Sequence, residues 1–307
     1  MKYLLVITLF FSSFLFATSP ITPLEAPQNI NYAKAKLGEK LFFDTRLSVD
    51  NTIACASCHK LDEGGDDNLQ FSYGVKGRKG VINAPTVLNA VHNFRQYWDG
   101  RARNLQEQAL GPIENPVEMG FNMKDLLTKL KKTEYQKLFK KIYAEGITQE
   151  SLTQSLAEYE KTLVTLNAPF DKYLKGDSTA ISQEAKKGYE LFKQKGCINC
   201  HHGVNVGGNL YSKFGVMQDA KAESLGRYNV TKKKRDRYYF KVPSLRNIEH
   251  TAPYFHDGRA KTLKVAIKTM AKLQLGRDLS DKELQNIEAF LKSLSGDMPK
   301  MRNIYVP

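Results

Sequence analysis

The sequence predicts a mainly helical protein made of two similar halves related by internal duplication. Apolar side chains recur at helical spacing over most of the chain, whereas alternating strand patterns are scarce. A Cys-x-x-Cys-His motif occurs once in each half, at residues 55–59 and 197–201. Segments around the two copies also match each other, so the same helical unit is expected twice.

Residues 1–19 predict a signal peptide that is cleaved near residues 17–19. Lys2 gives a positive start, an almost uninterrupted apolar run covers residues 4–16, and Ala17 or Ser19 offers a small residue for cleavage. The run is short for a membrane span, and no cysteine follows it to carry a lipid. We therefore expect a periplasmic protein without a membrane anchor.

The remaining chain is expected to form two domains, an N-terminal one over residues 20–166 and a C-terminal one over residues 167–307. The polar stretch 167–182, which contains Pro169 and Gly176, is the predicted junction. Asn122 is expected to cap one long helix, and Ser280 with Glu283 forms a capping-box pattern ahead of the last helix. The first of these helices would carry Leu126, Leu130, Leu138 and Ile142, and the next Leu152, Leu156, Tyr159 and Leu163.

The two halves align at a constant offset. Residues 85–89 and 97–102 match residues 243–247 and 255–260, so that Pro243 follows Pro85 by 158 positions, as Asp257 follows Asp99. Residues 35–42, ahead of the first motif, likewise match residues 185–192, ahead of the second. Each half is therefore expected to be one cofactor domain.

The two motifs predict two covalently bound haem c groups. In each copy the two thiols can form thioether bonds to haem, and the histidine that follows can take one axial position of the iron. A zinc or thiol redox site is disfavoured, because neither copy has a second cysteine pair nearby and the two copies use every cysteine in the chain. The residues are Cys55, Cys58, His59, Cys197, Cys200 and His201.

The second axial position is expected to differ between the halves. Met270, on the helically spaced stretch 263–270, could complete a His/Met site at the second haem, with ordinary packing as the alternative. The repeat offset places Pro112 at the corresponding point of the first half, and proline cannot ligate iron. The sequence thus predicts a closed second haem and an open first haem.

Polar residues around Pro112 are candidate catalytic groups. A carboxylate near an open iron can carry a proton between the two oxygens of bound peroxide, and an amide can orient the ligand. Spacing alone makes Glu114 and Glu118 equally eligible, and Gln108 is the candidate amide. A surface carboxylate is the alternative for either glutamate.

Six stretches of the chain carry further motifs, at residues 83–91, 98–101, 196–201, 203–208, 245–248 and 251–256. Together they resemble the motifs of the bacterial dihaem cytochrome c peroxidases, and the likeness covers nearly the whole chain after residue 19. It implies two cytochrome-c-like domains in a homodimer, with a calcium ion between the haems. It also implies reduction of hydrogen peroxide with electrons from a small cytochrome c.

The resemblance also implies roles for individual residues. Glu118 and Gln108 match the peroxidatic pocket, which favours Glu118 over Glu114. Met270 matches the methionine ligand of the electron-accepting haem, and Trp98 matches a tryptophan between the haems, for which packing alone is the alternative. The calcium-binding positions match Asn83, Thr251 and Pro253, the last two through backbone carbonyls.

One position departs from the family pattern. Many members carry a histidine, in the loop after the first motif, that caps the peroxidatic iron at rest. Val75 aligns with it, and no histidine occurs between Lys60 and Val91. We therefore expect the oxidised first haem to be five-coordinate or water-bound, and peroxide to react without prior reduction.

Other functions are less consistent with the sequence. The formal net charge of +14 could by itself suggest nucleic acid, but four haem propionates would offset part of it and no RNA- or DNA-binding pattern is found. A dihaem oxygenase that acts on a partner protein would have tyrosine in place of Met270. A non-catalytic dihaem electron carrier would need a sixth ligand that Pro112 and Val75 cannot supply.

Overall fold

The structure, a computed structural model, describes residues 19–299 and is mainly helical, as predicted. The predicted signal peptide lies outside the described residues except for Ser19, and it stays a prediction. Within residues 19–299, no helix has both the length and the apolar character needed to cross a membrane. The helices are α1 (Tyr32–Phe42), α2 (Cys55–Cys58), α3 (Leu105–Glu114), α4 (Met123–Leu130), α5 (Tyr135–Ile142), α6 (Gln149–Glu160), α7 (Pro169–Leu174), α8 (Gln183–Gln194), α9 (Tyr228–Thr231), α10 (Leu263–Leu275) and α11 (Asp281–Lys292).

In the first half, α1 and α6 cross closely at Gly38. A methyl group on Gly38 would lie 1.9 Å from the Ser155 backbone oxygen and 2.9 Å from Tyr159 Cβ, so only glycine fits between the helices. Behind the crossing, Leu41 and Leu156 are buried in one apolar core with side chains from α3, α4 and α5. This core lies beside the first Cys-x-x-Cys-His motif.

The second half repeats the same crossing between α8 and α11. A methyl group on Gly188 would lie 1.9 Å from the Asn286 backbone oxygen and 2.9 Å from Phe290 Cβ. The Phe290 ring contacts Tyr189 and Phe170, with centroid distances of 5.2 and 4.9 Å. The two halves are thus built on the same helix pair.

Backbone details confirm the internal duplication. Asn104 and Thr262, 158 positions apart, cap α3 and α10 by accepting hydrogen bonds from main-chain N–H groups of their first turns. Tyr97 and Phe255, at the same offset, both adopt left-handed backbone conformations, with φ of 67° and 74°. α3 and α10 are therefore equivalent helices, which aligns Pro112 with Met270.

A buried polar contact joins the halves. Asn89 and Asn247, again 158 positions apart, each donate a side-chain hydrogen bond of 2.9 Å to the Thr165 hydroxyl. All three side chains are inaccessible to solvent. Thr165 lies next to the predicted domain boundary at residues 166 and 167, which stays a prediction.

A buried ion pair ties the second motif's loop to α7. The Arg246 guanidinium donates two hydrogen bonds to the Asp171 carboxylate, at 2.8 and 3.0 Å, and a third to the Val204 carbonyl oxygen. Loss of one partner from such a pair would leave an uncompensated buried charge. The pair fixes the loop that follows His201.

Two helix predictions were wrong at their ends. Asn122 does cap α4, but the helix stops at Leu130, where the Thr133 hydroxyl donates to the Leu130 carbonyl oxygen at 2.7 Å. Leu138 and Ile142 lie in the separate helix α5, and Leu163 lies beyond the end of α6.

The remaining regular structure agrees with the sequence patterns. The predicted capping box of Ser280 and Glu283 begins α11. The predicted junction contains the short helix α7. The strands β1 (Tyr211–Lys213) and β2 (Tyr239–Lys241) form one antiparallel pair.

The glycine crossing predicts a stability effect. We expect Gly38→Ala to lower the free energy of unfolding by about 1–3 kcal/mol, because the added methyl group overpacks the α1–α6 contact. Gly80→Ala is the control, since a methyl group there meets nothing closer than 3.4 Å, the distance to the Ser72 oxygen. Denaturant unfolding of the haem-loaded proteins would measure both, and equal midpoints would contradict the proposed crossing.

Candidate active site

The second motif faces an apolar cavity in the second half, which we name the second cavity. Cys197, Cys200 and His201 line it, and so does Met270, which α10 carries into the same space. Much of the remaining wall is hydrocarbon from α8, α10 and α11, including Phe192, Leu263, Ile267, Ala271, Ile287 and Leu291. These residues fit a haem attached through both thiols, and His201 and Met270 would offer donor atoms to its iron.

Burial sets the protonation states that this chemistry needs. Desolvation lowers the pKa of His201 to about 4, so its ring is neutral at pH 7 and has a lone pair for iron. Desolvation also raises the pKa of the Cys197 thiol to about 11, so this side chain is protonated before attachment. The neutral His201 ring and the apolar wall are what a covalently attached haem requires.

The first motif has its histidine already oriented. His59 Nδ1 lies 3.1 Å from the Gly65 carbonyl oxygen, and a proton on Nδ1 would leave Nε2 available to iron. Burial lowers the pKa of His59 and raises the pKa values of Cys55 and Cys58 to about 12 and about 11. The first motif thus fits the same kind of group as the second.

Glu118 lies near the first motif, whereas Glu114 is exposed at the end of α3. The Asn115 side-chain amide donates to Glu118 Oε1 at 2.8 Å. Burial raises the pKa of Glu118, and its charge contributes to the raised pKa values of Cys55 and Cys58. Of the two glutamates that spacing left open, only Glu118 combines burial with closeness to the thiols.

Pro112 lies inside α3, where it removes one helical hydrogen bond. The carbonyl oxygen that would accept from residue 112 belongs to Gln108, and it accepts instead from the Tyr97 hydroxyl at 2.6 Å. Gly111 leaves room for this hydroxyl, since a methyl group there would lie 2.0 Å from it. Tyr97 and Gly111 therefore allow α3 to stay helical with a residue that cannot ligate iron.

Trp98 lies between the halves. Its indole N–H donates to the Asn83 carbonyl oxygen at 2.9 Å, and its own carbonyl oxygen accepts from the Lys241 N–H at 2.8 Å. The ring also lines the second cavity and meets the His256 ring edge to face, at a centroid distance of 6.2 Å. Trp98 thus connects residues of the first half to the wall of the second haem cavity.

The predicted calcium residues share one region. Asn83, Thr251 and Pro253 all line the second cavity, and the Asn83 side-chain amide donates to the Leu69 carbonyl oxygen at 2.9 Å. Among residues 19–299 there is no cluster of three or more His, Cys, Asp or Glu that could hold a metal ion. A calcium ion here would depend mainly on amide and backbone oxygens.

Sequence patterns missed three buried ionisable side chains, one near the first motif and two in the wall of the second cavity. Glu160 is 7% exposed, and burial raises its pKa to about 8; its charge also contributes to the raised pKa of Cys55. Asp66 and Lys241 are 2% and 5% exposed, and burial moves their pKa values to about 7 and about 8. No spacing rule marks such residues, because their burial arises only in the folded chain.

Comparison with known proteins finds two family profiles. One described as di-haem cytochrome c peroxidase matches residues 32–179, and one described as cytochrome c matches residues 185–295. Cytochrome c551 peroxidase of Nitrosomonas europaea is 46% identical over 296 residues, which cover 95% of this chain and 88% of that protein. Cytochrome c551 peroxidase of Pseudomonas aeruginosa is 42% identical, covering 91% of this chain and 84% of that protein.

A solved structure shares the fold. The crystal structure of a MauG-like protein associated with microbial copper homeostasis matches with a TM-score of 0.79 at 23% identity, covering 89% of this chain and 93% of that one. The prediction of two cytochrome-c-like domains is therefore confirmed.

The cavity geometry predicts the effect of removing Met270. We expect Met270→Ala to convert the oxidised second haem from low spin to high spin, because no thioether would remain opposite His201. Optical and electron paramagnetic resonance spectra of the oxidised protein would report the change. Met217→Ala, which truncates a methionine that is 60% exposed, is the control; identical spectra for the two variants would remove Met270 from the ligand set.

Proposed function

The chain belongs to the di-haem cytochrome c peroxidase family and is a peroxidase, and from this premise we propose how it works. It reduces hydrogen peroxide to two waters with two protons and two electrons, in the periplasm, and its donor is a small cytochrome c. It does so without prior reduction of the second haem. The predicted signal peptide supports the location, and the family supports the donor.

The observation that carries this proposal is the difference between α3 and α10. The two helices are equivalent, yet α10 presents Met270 to the second cavity where α3 has Pro112. A haem in the second half can be closed by a thioether, whereas that in the first half has no ligating side chain at this position. Peroxide would bind in the first half, and electrons would enter through the second.

When bound, haem supplies an iron that can bind peroxide and take up its oxidising equivalents. Glu118 would accept a proton from one oxygen of hydrogen peroxide and deliver it to the other oxygen, which leaves as water. Its Oε1 is held by Asn115, which leaves Oε2 for the substrate. Gln108 lies on α3 and is half-buried, and its side-chain amide would orient the peroxide.

Reactivity without activation is supported by the loop around Val75. The Val75 side chain is 1% exposed, and its N–H donates to the Glu118 carbonyl oxygen at 2.8 Å. Gly74 packs tightly against the same segment, since a methyl group there would lie 1.9 Å from the Val117 oxygen. An aliphatic side chain in this packed loop cannot bind the iron. No side chain would therefore have to dissociate from the first haem before peroxide binds.

Electron transfer and calcium binding complete the proposal. Trp98, which bridges the halves through Asn83 and Lys241, would carry electrons between the haems. Asn83, Thr251 and Pro253 would hold a calcium ion beside it, as in the family. A homodimer is part of the same proposal.

The two alternatives require features that this chain lacks. An oxygenase of the related kind would have tyrosine in place of Met270. A non-catalytic electron carrier would need a ligand on the open side of the first haem, where α3 offers Pro112. Steady-state oxidation of reduced cytochrome c by peroxide separates all three functions.

The carboxylate mechanism predicts a large loss for one variant. We expect Glu118→Gln to lower kcat by about 10²–10⁴-fold, since an amide cannot move the proton. Glu114→Gln is the control, because Glu114 is exposed on the same segment. Optical spectra should confirm that both haems are intact, and wild-type turnover in Glu118→Gln would remove this carboxylate from the mechanism.

The open first site predicts the behaviour of the fully oxidised enzyme. Stopped-flow mixing with peroxide should give a second-order rate constant within a few-fold of that of enzyme with its second haem reduced. Because no side chain has to leave the iron of the first haem, reduction of the second haem should raise this rate constant little. An oxidised enzyme that stays inert until one electron is added would contradict this part of the proposal.

A further inference from the structure

Lys241 is a buried cation without a protein partner. It ends β2 and is 5% exposed, and within residues 19–299 its ammonium group makes no hydrogen bond or ion pair. Burial lowers its pKa to about 8, which still leaves most of the side chain charged at pH 7. Removing an ammonium group from water is unfavourable unless an anion pairs with it, so an anion is expected beside Lys241.

The position of Lys241 indicates which anion can reach it. The residue lines the second cavity together with His201 and Met270. Its backbone is fixed on both sides, by pairing with Tyr211 in β1 and by the hydrogen bond to the Trp98 carbonyl oxygen. The backbone from which the side chain projects is therefore fixed at the cavity wall.

Within the described residues 19–299, no side chain supplies this anion. Asp66 lines the same cavity, but it forms no ion pair with Lys241, and burial alone accounts for the lowered pKa of the lysine. The neighbouring wall is made by Trp98, Phe240 and Val242, which carry no charge. The haem that fits this cavity brings two propionate carboxylates.

We propose that Lys241 binds a propionate of the second haem and thereby raises the reduction potential of that haem. The inference rests on the part of the proposed function that places a haem at His201, and not on peroxide turnover. A cation held beside the propionate offsets its negative charge, which otherwise favours the oxidised iron. Lys241 would thus help the second haem to accept an electron and would position it against Trp98.

Reduction potentials of the two haems, measured separately by spectroelectrochemical titration, test the proposal. We expect Lys241→Met to lower the equilibrium constant for reduction of the second haem about tenfold, which is about 59 mV for a one-electron couple. The first haem should change less than about twofold. Lys241→Arg keeps the charge and should keep most of the potential, and Lys213→Met, at an exposed lysine of β1, is the matched surface control.

Each other outcome overturns the assignment. An unchanged second-haem potential in Lys241→Met with normal haem content would show that the lysine does not act on this haem. A shift confined to the first haem would place the bound carboxylate there. Equal decreases of the second-haem potential in Lys241→Met and Lys241→Arg would indicate that the cause is disturbed packing and not the loss of a positive charge. The potential is read without peroxide, so a failure of peroxidase turnover would not affect the result.

Discussion

The close crossing of two helices at a glycine is the contact on which the rest of the architecture depends. Gly38 and Gly188 let backbones approach where any side chain would collide, and each crossing lies beside one Cys-x-x-Cys-His motif. The crossings build two aromatic-rich cores, and in the second half an apolar cavity lies against the motif. Because the contact occurs twice, both halves place their Cys-x-x-Cys-His motif against an apolar core.

Function arises from the differences within this repeated frame. One pair of equivalent helices carries Met270 and Pro112 at the same position. The proline leaves the Gln108 carbonyl oxygen without its helical donor, and the Tyr97 hydroxyl donates to this oxygen instead. Gly111 leaves the space that the hydroxyl occupies. A proline at this position of α3 therefore depends on Tyr97 and Gly111 for the helix to continue.

Much of this could be predicted from the sequence, because covalent attachment has a strict spacing and a duplication leaves a constant offset. The end of α4 could not be predicted, because the apolar pattern continues past Leu130 without a break. In the fold, the Thr133 hydroxyl donates to the Leu130 carbonyl oxygen where the helix ends. Nor could the burial of Glu160 or Lys241 be predicted, since it depends on elements distant in sequence. Spacing also left Glu114 and Glu118 equal, and only the fold separates an exposed carboxylate from a half-buried one.

The proposed function requires one haem iron with a vacant position and one that is closed on both sides. Electron paramagnetic resonance of the fully oxidised, haem-loaded protein tests this difference most directly. We expect one high-spin signal from the first haem and one low-spin signal from the second. Two low-spin signals, with a protein side chain bound to the iron of the first haem, would contradict this difference.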